Sequence, residues 1–212
     1  MIANTVIGSG LGSIINASHF ILLSYIAGIF VFLLHIIIIF MHGLNPFIYM
    51  KKAIPVLLMA FTSRSSSATL PVTISTLVQK LGVNNGIANC VASLGSTVGM
   101  CGCSGYFAGL TAVFIYNALG LSINASDIIL IVVLCLIASF GIAGIPGIST
   151  MVITIILTGL GLESHFALLA VILAIDPIVD MIRTSNNVSG AMVASISTSK
   201  ELNSVDMEVY NS

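Results

Sequence analysis

Four residues in the last third of the chain carry its clearest chemistry: Asp176, Asp180, Arg183 and Asn187. Their offsets are 0, 4, 7 and 11, and at about 100° per residue they fall within an arc of about 60° on one helix face. The surrounding run, Leu168 to Ser197, is otherwise apolar and long enough to cross a bilayer, which takes roughly 20 mostly apolar residues. An ionisable group at that depth costs at least ~2.5 kcal/mol. Three on one stripe must therefore face protein, water or a ligand. Two readings follow. The stripe is either a self-satisfied Asp–Arg pair holding the helix to its neighbours, or a mid-membrane site for a polar substrate or ion. In the second reading the carboxylates accept a cation and Arg183 offers a two-pronged fork to a carboxylate.

Three more stretches place polar or backbone groups inside apolar surroundings. Thr62 to Thr69 is a serine-rich interruption between two short apolar arms, Ile54 to Phe61 and Leu70 to Leu81. Neither arm can span a bilayer, and the interruption cannot face lipid because its backbone groups would lack partners. A re-entrant helical hairpin over 54–82 fits, with Ser65, Ser66 and Ser67 at its tip. Ile128 to Phe140, the tip 141–147 and Ile148 to Leu162 repeat the pattern, predicting a second hairpin over 127–162. Between them, 84–121 is long enough for a span but is punctuated by Gly95, Gly99, Gly102, Gly105 and Gly109. Glycine at that density weakens a helix by ~1 kcal/mol per residue, and unwound backbone at mid-membrane offers carbonyls to cations. Cys101 and Cys103 form a C-x-C without further nearby ligands, which is a weak metal signature.

The positioning elements follow from composition and order. With 58% hydrophobic and 6% charged residues and a mean hydropathy of +1.16 over 212 residues, the chain departs far from the ~25% charged content of soluble domains. The expected fold is all-α and integral to the membrane, with transmembrane helices, two re-entrant hairpins and discontinuous helices. Near-neutral net charge and no basic run argue against nucleic acid. Four cysteines inside apolar segments do not read as a disulfide framework, and the opening MIANTVIGSG has no basic leader. In order, the reading is a partial helix at 1–18, a transmembrane helix at 19–50 and a polar-striped helix at 165–199, with a disordered cytoplasmic tail at 200–212. His35, alone among Ile and Leu in the first span, reads as hydrogen-bonded packing. If both hairpins return to the side they entered from, Lys51, Lys52, Lys80 and Lys200 share one face, and the positive-inside rule makes that face cytoplasmic.

The segments SRSSSATLP (63–71), SFGIAGIPG (139–147) and DPIVDMIRTSNNVSG (176–190) resemble the three signatures of the dicarboxylate/amino-acid:cation symporter family, the glutamate-transporter homologues. The likeness covers nearly the whole chain in the right order. It implies the carboxy-terminal, transport-domain half (51–199) of a multi-pass symporter of the cytoplasmic membrane, not an enzyme. An amino-terminal scaffold half or a separate chain would complete it, as a homotrimer in contact with membrane lipid. By that resemblance Arg64, Ser65, Ser66 and Ser67 in the first tip hold a substrate carboxylate, and Ile145 and Ser149 in the second close over it. Asp180 takes the ammonium, Arg183 the substrate side chain, and Thr184, Asn187 and Cys103 line the site. Thr97, Gly99, Ser139, Phe140, Ile142, Asp176 and Asn187 are the implied ion ligands, for Na+ or H+ with no organic cofactor.

Two departures bear on substrate. Where acidic-substrate members carry Asn-Met-Asp-Gly-Thr, this chain has Gly99-Met100-Cys101-Gly102-Cys103, and Ala191 stands in place of an Asp. That variant is similar to bacterial cystine-uptake symporters and points to L-cystine, with dicarboxylic or small neutral amino acids as alternatives. A channel, a binding module or a non-transporting truncated product are the readings of another class.

Overall fold

The computed structural model describes the backbone of residues 2–140 and 147–212, and the side chains of 15–140, 147, 148, 150–166 and 169–212. Every regular element among the described residues is helical. The centre is α8 (Ala170–Glu201), whose buried residues lie on all sides. Around it pack α1 (Ile2–Met41), α2 (Pro46–Ser63), α3 (Ser66–Gln79), α4 (Asn85–Gly95) and a π-helix (Cys101–Tyr106). A second group, α5 (Phe107–Ala118), α6 (Ala125–Phe140) and α7 (Ser149–Gly159), joins α8 through a 3-10 segment (Glu163–Leu169).

Small residues let these helices approach α8. A Cβ on Gly28 of α1 would lie 2.5 Å from Ile182 Cγ1, and one on Gly95 of α4 would lie 2.7 Å from Ala191 Cβ. Small-residue contacts of this kind stand in for the hydrophobic driving force that lipid does not supply. His35 is buried on the same seam, its Nδ1 2.9 Å from Ser189 Oγ. Away from the seam, α1 presents Leu22, Ile26, Phe30, Leu33 and Ile37 outward, and α6 presents Ile129, Val133 and Leu136. Within α1, Ile15–Met41 is the one segment among the described residues long and apolar enough to cross a bilayer.

The α2–α3 pair is built by its ends. Asn45 caps α2 by accepting from Phe47 N at 3.0 Å, and Pro46 fills the first turn, where its missing N–H is no loss. Arg64 ends α2 in the left-handed region at φ 53°, unusual for a residue with a Cβ. Ser65 then caps α3, its Oγ accepting from Ala68 N at 3.2 Å. The chain reverses on two residues, and Lys52 near the start of α2 reaches Lys80 O at the end of α3.

Two expectations fail. Residues 1–18 are not a separate partial helix: α1 runs unbroken for 40 residues, about 60 Å. The tail is not disordered either. After α8 a short α9 (Met207–Asn211) folds back over the lysine end, with Asp206 Oδ1 capping it. Asp206 N donates to Gly82 O at 2.8 Å, and Lys52 Nζ donates to the carbonyls of Lys80, Val209 and Tyr210, each at 2.8 Å. Three acceptors satisfy all three ammonium protons. Tyr210 is fully buried among Tyr49, Ala53, Leu81 and Ile196 and donates to Asn45 O at 2.8 Å. Burial pushes its phenol up to about 12, so it is the protonated donor at neutral pH. The polar composition of 200–212 hid one aromatic anchor and a carbonyl set whose partner lies on α2.

Replacing Tyr210 with Ala should lower stability by about 3 kcal/mol, the scale of emptying a buried aromatic site. Glu208→Ala, at an exposed position of the same helix, should be neutral. Thermal unfolding of both variants in detergent checks this: equal midpoints would mean that α9 is not anchored by Tyr210.

Candidate functional site

The polar stripe converges on Arg183, the largest fully buried side chain among the described residues. Its Nη2 lies 2.8 Å from Asp176 Oδ1 and 2.9 Å from Asp180 Oδ1, so the guanidinium bridges two turns of its own helix. Its Cζ sits 3.8 Å above the ring of Phe107, the first residue of α5, a cation–π contact that gains strength away from water. The Asp–Arg pairing weighed above is therefore present. The second oxygen of Asp180, Oδ2, is buried without a hydrogen-bond partner among the described residues. With both carboxylates ionised, the cluster holds two negative charges against one positive.

The π-helix packs against this part of α8 because Gly102 has no side chain: a Cβ there would lie 2.8 Å from Arg183 Cα. Asn187 fixes the contact, its Oδ1 accepting from Gly102 N at 2.8 Å and its Nδ2 donating to Cys103 Sγ at 3.1 Å. Cys101 Sγ donates to Asn186 O at 3.4 Å. The π-helix is short, and such turns concentrate at functional positions. Its hydrogen bonds to α8 fall on Asn186 and Asn187, and its tightest packing contact falls on Arg183.

The α2–α3 tip arrives from the other side. Ser65 and Ser66 are buried, Arg64 is half-buried and Ser67 is exposed. Ser66 lines a small cavity together with Val188 and Ala191, which places the tip against α8. Thr184 is buried, with Oγ1 3.4 Å from Asp180 Oδ1. The structure thus gathers Asp176, Asp180, Arg183, Thr184, Asn187 and Cys103 around one segment of α8. Ile142 and Ile145 lie outside the described residues, and Ser149 is described only as the first residue of α7.

The implied ion ligands divide into two groups. Gly99 and Ser139 meet directly, Gly99 N donating to Ser139 O at 3.2 Å and to Ser139 Oγ at 3.1 Å. Thr97 precedes them, with Oγ1 bonded to Leu94 O at 3.1 Å, while Phe140 points outward. Asp176 and Asn187 belong instead to the Arg183 group. No cluster of three metal-ligating His, Cys, Asp or Glu side chains occurs among the described residues. Cys101 and Cys103 are free thiols.

The sequence did not single out Phe107, Tyr106, Asn186 or Ser185. Ser185 Oγ donates to Leu57 O at 3.0 Å, tying α8 to α2. Asn186 Oδ1 accepts from Tyr106 OH at 3.2 Å. The tandem Asn186-Asn187 in an otherwise apolar helix was the available signal, since a second buried amide needs its own partners.

Comparison with known proteins accords with this geometry. Residues 1–201 match the model of the sodium:dicarboxylate symporter family. The chain is 38% identical over 212 residues to a protein of Bacillus cereus named L-cystine uptake protein TcyP. It is 42% identical over 212 residues to a Shouchella clausii protein of the same name and 37% identical over 211 residues to one of Bacillus licheniformis. Each alignment covers 99–100% of this chain but 45% of the relative, so the chain spans less than half of their length. A match over 201 of 212 residues is decisive for membership: the chain is an integral membrane protein of the sodium:dicarboxylate symporter family.

Proposed function

We propose that this chain forms the substrate-carrying part of a secondary amino-acid symporter, with L-cystine as its substrate and a cation as its cargo partner. One observation carries the reading. A fully buried guanidinium stacked on Phe107 is paired to two carboxylates, one of which keeps a buried, unpartnered oxygen. An amino acid complements that cluster. Its ammonium gives Asp180 Oδ2 a donor and offsets the excess negative charge, and its distal carboxylate meets a guanidinium whose geometry suits fork-shaped recognition. The α-carboxylate docks at the serine tip, on Ser66 and the backbone beside Arg64. Asn187, Thr184 and Cys103 complete the lining, and residues 145 and 149 close the second side. The name the relatives carry, L-cystine uptake protein, favours cystine among amino acids with two such ends.

The architecture that goes with this reading makes α2–α3 and α6–α7 re-entrant hairpins. Their helices have 18, 14, 16 and 11 residues, at or below the usual transmembrane length. Alternating access then moves the α8-centred body against a scaffold supplied by further chain, in a trimer. Residues 51–199 are the moving domain. The measurement is uptake of labelled L-cystine, L-aspartate and L-serine into proteoliposomes, by this chain alone and co-expressed with the amino-terminal half of a relative. Sodium and proton gradients are imposed separately. Saturable, gradient-driven cystine uptake by the pair supports the reading; gradient-independent flux would make the protein a channel.

Asp180→Asn should weaken substrate binding by roughly a hundredfold or more, since breaking a buried charged pair costs about 3–5 kcal/mol. Arg183→Ala should abolish uptake of substrates with a distal carboxylate while the protein still inserts. Calorimetry showing less than a tenfold change for Asp180→Asn would make that carboxylate structural.

Coupling is the second expectation. Sodium prefers hard oxygen ligands, whereas Cys101 and Cys103 present sulfur and Ala191 packs against Gly95. Gly99, Ser139, Thr97, Phe140 and Ile142 can offer backbone carbonyls for one sodium site, and Asp176 is a carboxylate that a proton can neutralise. At most one sodium, or a proton in its place, should move per substrate. Reversal potentials in proteoliposomes give the number, and three sodium ions per substrate would defeat the argument.

A further inference from the structure

Asn186 lies about 100° around α8 from Asn187, off the polar stripe, and is fully buried. Its amide is completely oriented by its partners. Nδ2 donates to Gly28 O of α1 at 3.1 Å, and Oδ1 accepts from Tyr106 OH at 3.2 Å. A carbonyl can only accept, so Gly28 O selects the nitrogen side and leaves Oδ1 for the phenol. The missing side chain of Gly28 makes this possible: a Cβ there would lie 3.0 Å from Asn186 Oδ1.

Tyr106 closes the π-helix and Phe107 opens α5. Arg183 rests on the Phe107 ring at 3.8 Å, and three residues later Asn186 holds the Tyr106 hydroxyl. Two side chains of one helix therefore grip two consecutive residues of another segment. The platform under the guanidinium is a residue at a change of helix type, its N–H bonded to Gly102 O and its ring packed edge-on against Phe20 of α1. The Asn186–Tyr106 bond, anchored to α1 through Gly28, adds a polar restraint at the neighbouring residue.

We propose that Asn186 is a positioning residue for Arg183, acting through the Tyr106–Phe107 junction to set the guanidinium in the orientation that receives the substrate's distal carboxylate. The proposal rests on the reading of Arg183 given above. It assigns to α1, whose hydrogen bonds to α8 run through Ile178, Ser189 and Asn186, a direct line to substrate affinity.

Tyr106→Phe deletes one hydroxyl and keeps the ring, so it is the cleanest probe. It should raise the KM for L-cystine about tenfold, the effect of one lost buried hydrogen bond, with Vmax changed less than about twofold. Asn186→Leu should do the same, and the double variant should be no worse than Asn186→Leu alone, because both remove one interaction. A substrate-free measurement accompanies these. Cys103 is buried in the same π-helix, and its alkylation by N-ethylmaleimide, followed by peptide mass, should speed up about tenfold in Tyr106→Phe, with the variant still unfolding in one cooperative transition. Wild-type KM together with wild-type Cys103 reactivity would overturn the proposal, as would a lowered midpoint without a KM change. Active Arg183→Ala would sink the functional reading; inactive Arg183→Ala with wild-type Tyr106→Phe would sink only the positioning role.

Discussion

Arg183, held between Asp176 and Asp180 with no exposed surface, limits what can surround it. A charge taken out of water survives only where geometry and hydrogen bonding replace its hydration. The carboxylates come from the same helix at spacings of seven and three residues, so α8 must be regular over that length despite Pro177. The ring of Phe107 covers the open face of the guanidinium. The Gly102 backbone closes the approach from the π-helix, where even a methyl group would collide with Arg183. Each neighbour is thus either a counter-charge, a ring face or a bare backbone.

The π-helix is the second half of the same constraint. Its backbone is satisfied in part from α8, Asn187 Oδ1 accepting from Gly102 N, while its Cys101 thiol donates to Asn186 O. Irregular backbone at membrane depth is tolerated only where protein or water satisfies it. The five consecutive residues 183–187 of α8 all make side-chain hydrogen bonds, Arg183 and Thr184 within their own helix and Ser185, Asn186 and Asn187 to α2, α1 and the π-helix. A helix so heavily polar in its core has the buried face of a soluble active site and the surroundings of a membrane span.

Much of this was legible in the sequence because helix periodicity is local. The spacing of Asp176, Asp180, Arg183 and Asn187 put them on one stripe, and the glycine cluster marked where regular helix gives way between Gly95 and Phe107. The all-α character followed from composition. What stayed hidden depended on contacts between distant segments. Phe107 looks like any apolar residue until Arg183 is seated on it, and Asn186 looks like a neighbour of Asn187 until Gly28 and Tyr106 are brought to it. The stretch 200–212 looked unstructured because polar composition says nothing about a single buried tyrosine.

The carbonyl cradle around Lys52 has a temporal side. Two of its three acceptors, Val209 O and Tyr210 O, belong to residues 157 and 158 positions later in the chain. At about 5–20 residues per second of synthesis, that separation amounts to roughly 8–30 s. Throughout that interval the nascent helix pair carries a lysine whose ammonium has only Lys80 O from its final set. The lysine end therefore closes only after the central helix has been made, and until then the helix pair carries an incompletely bonded ammonium.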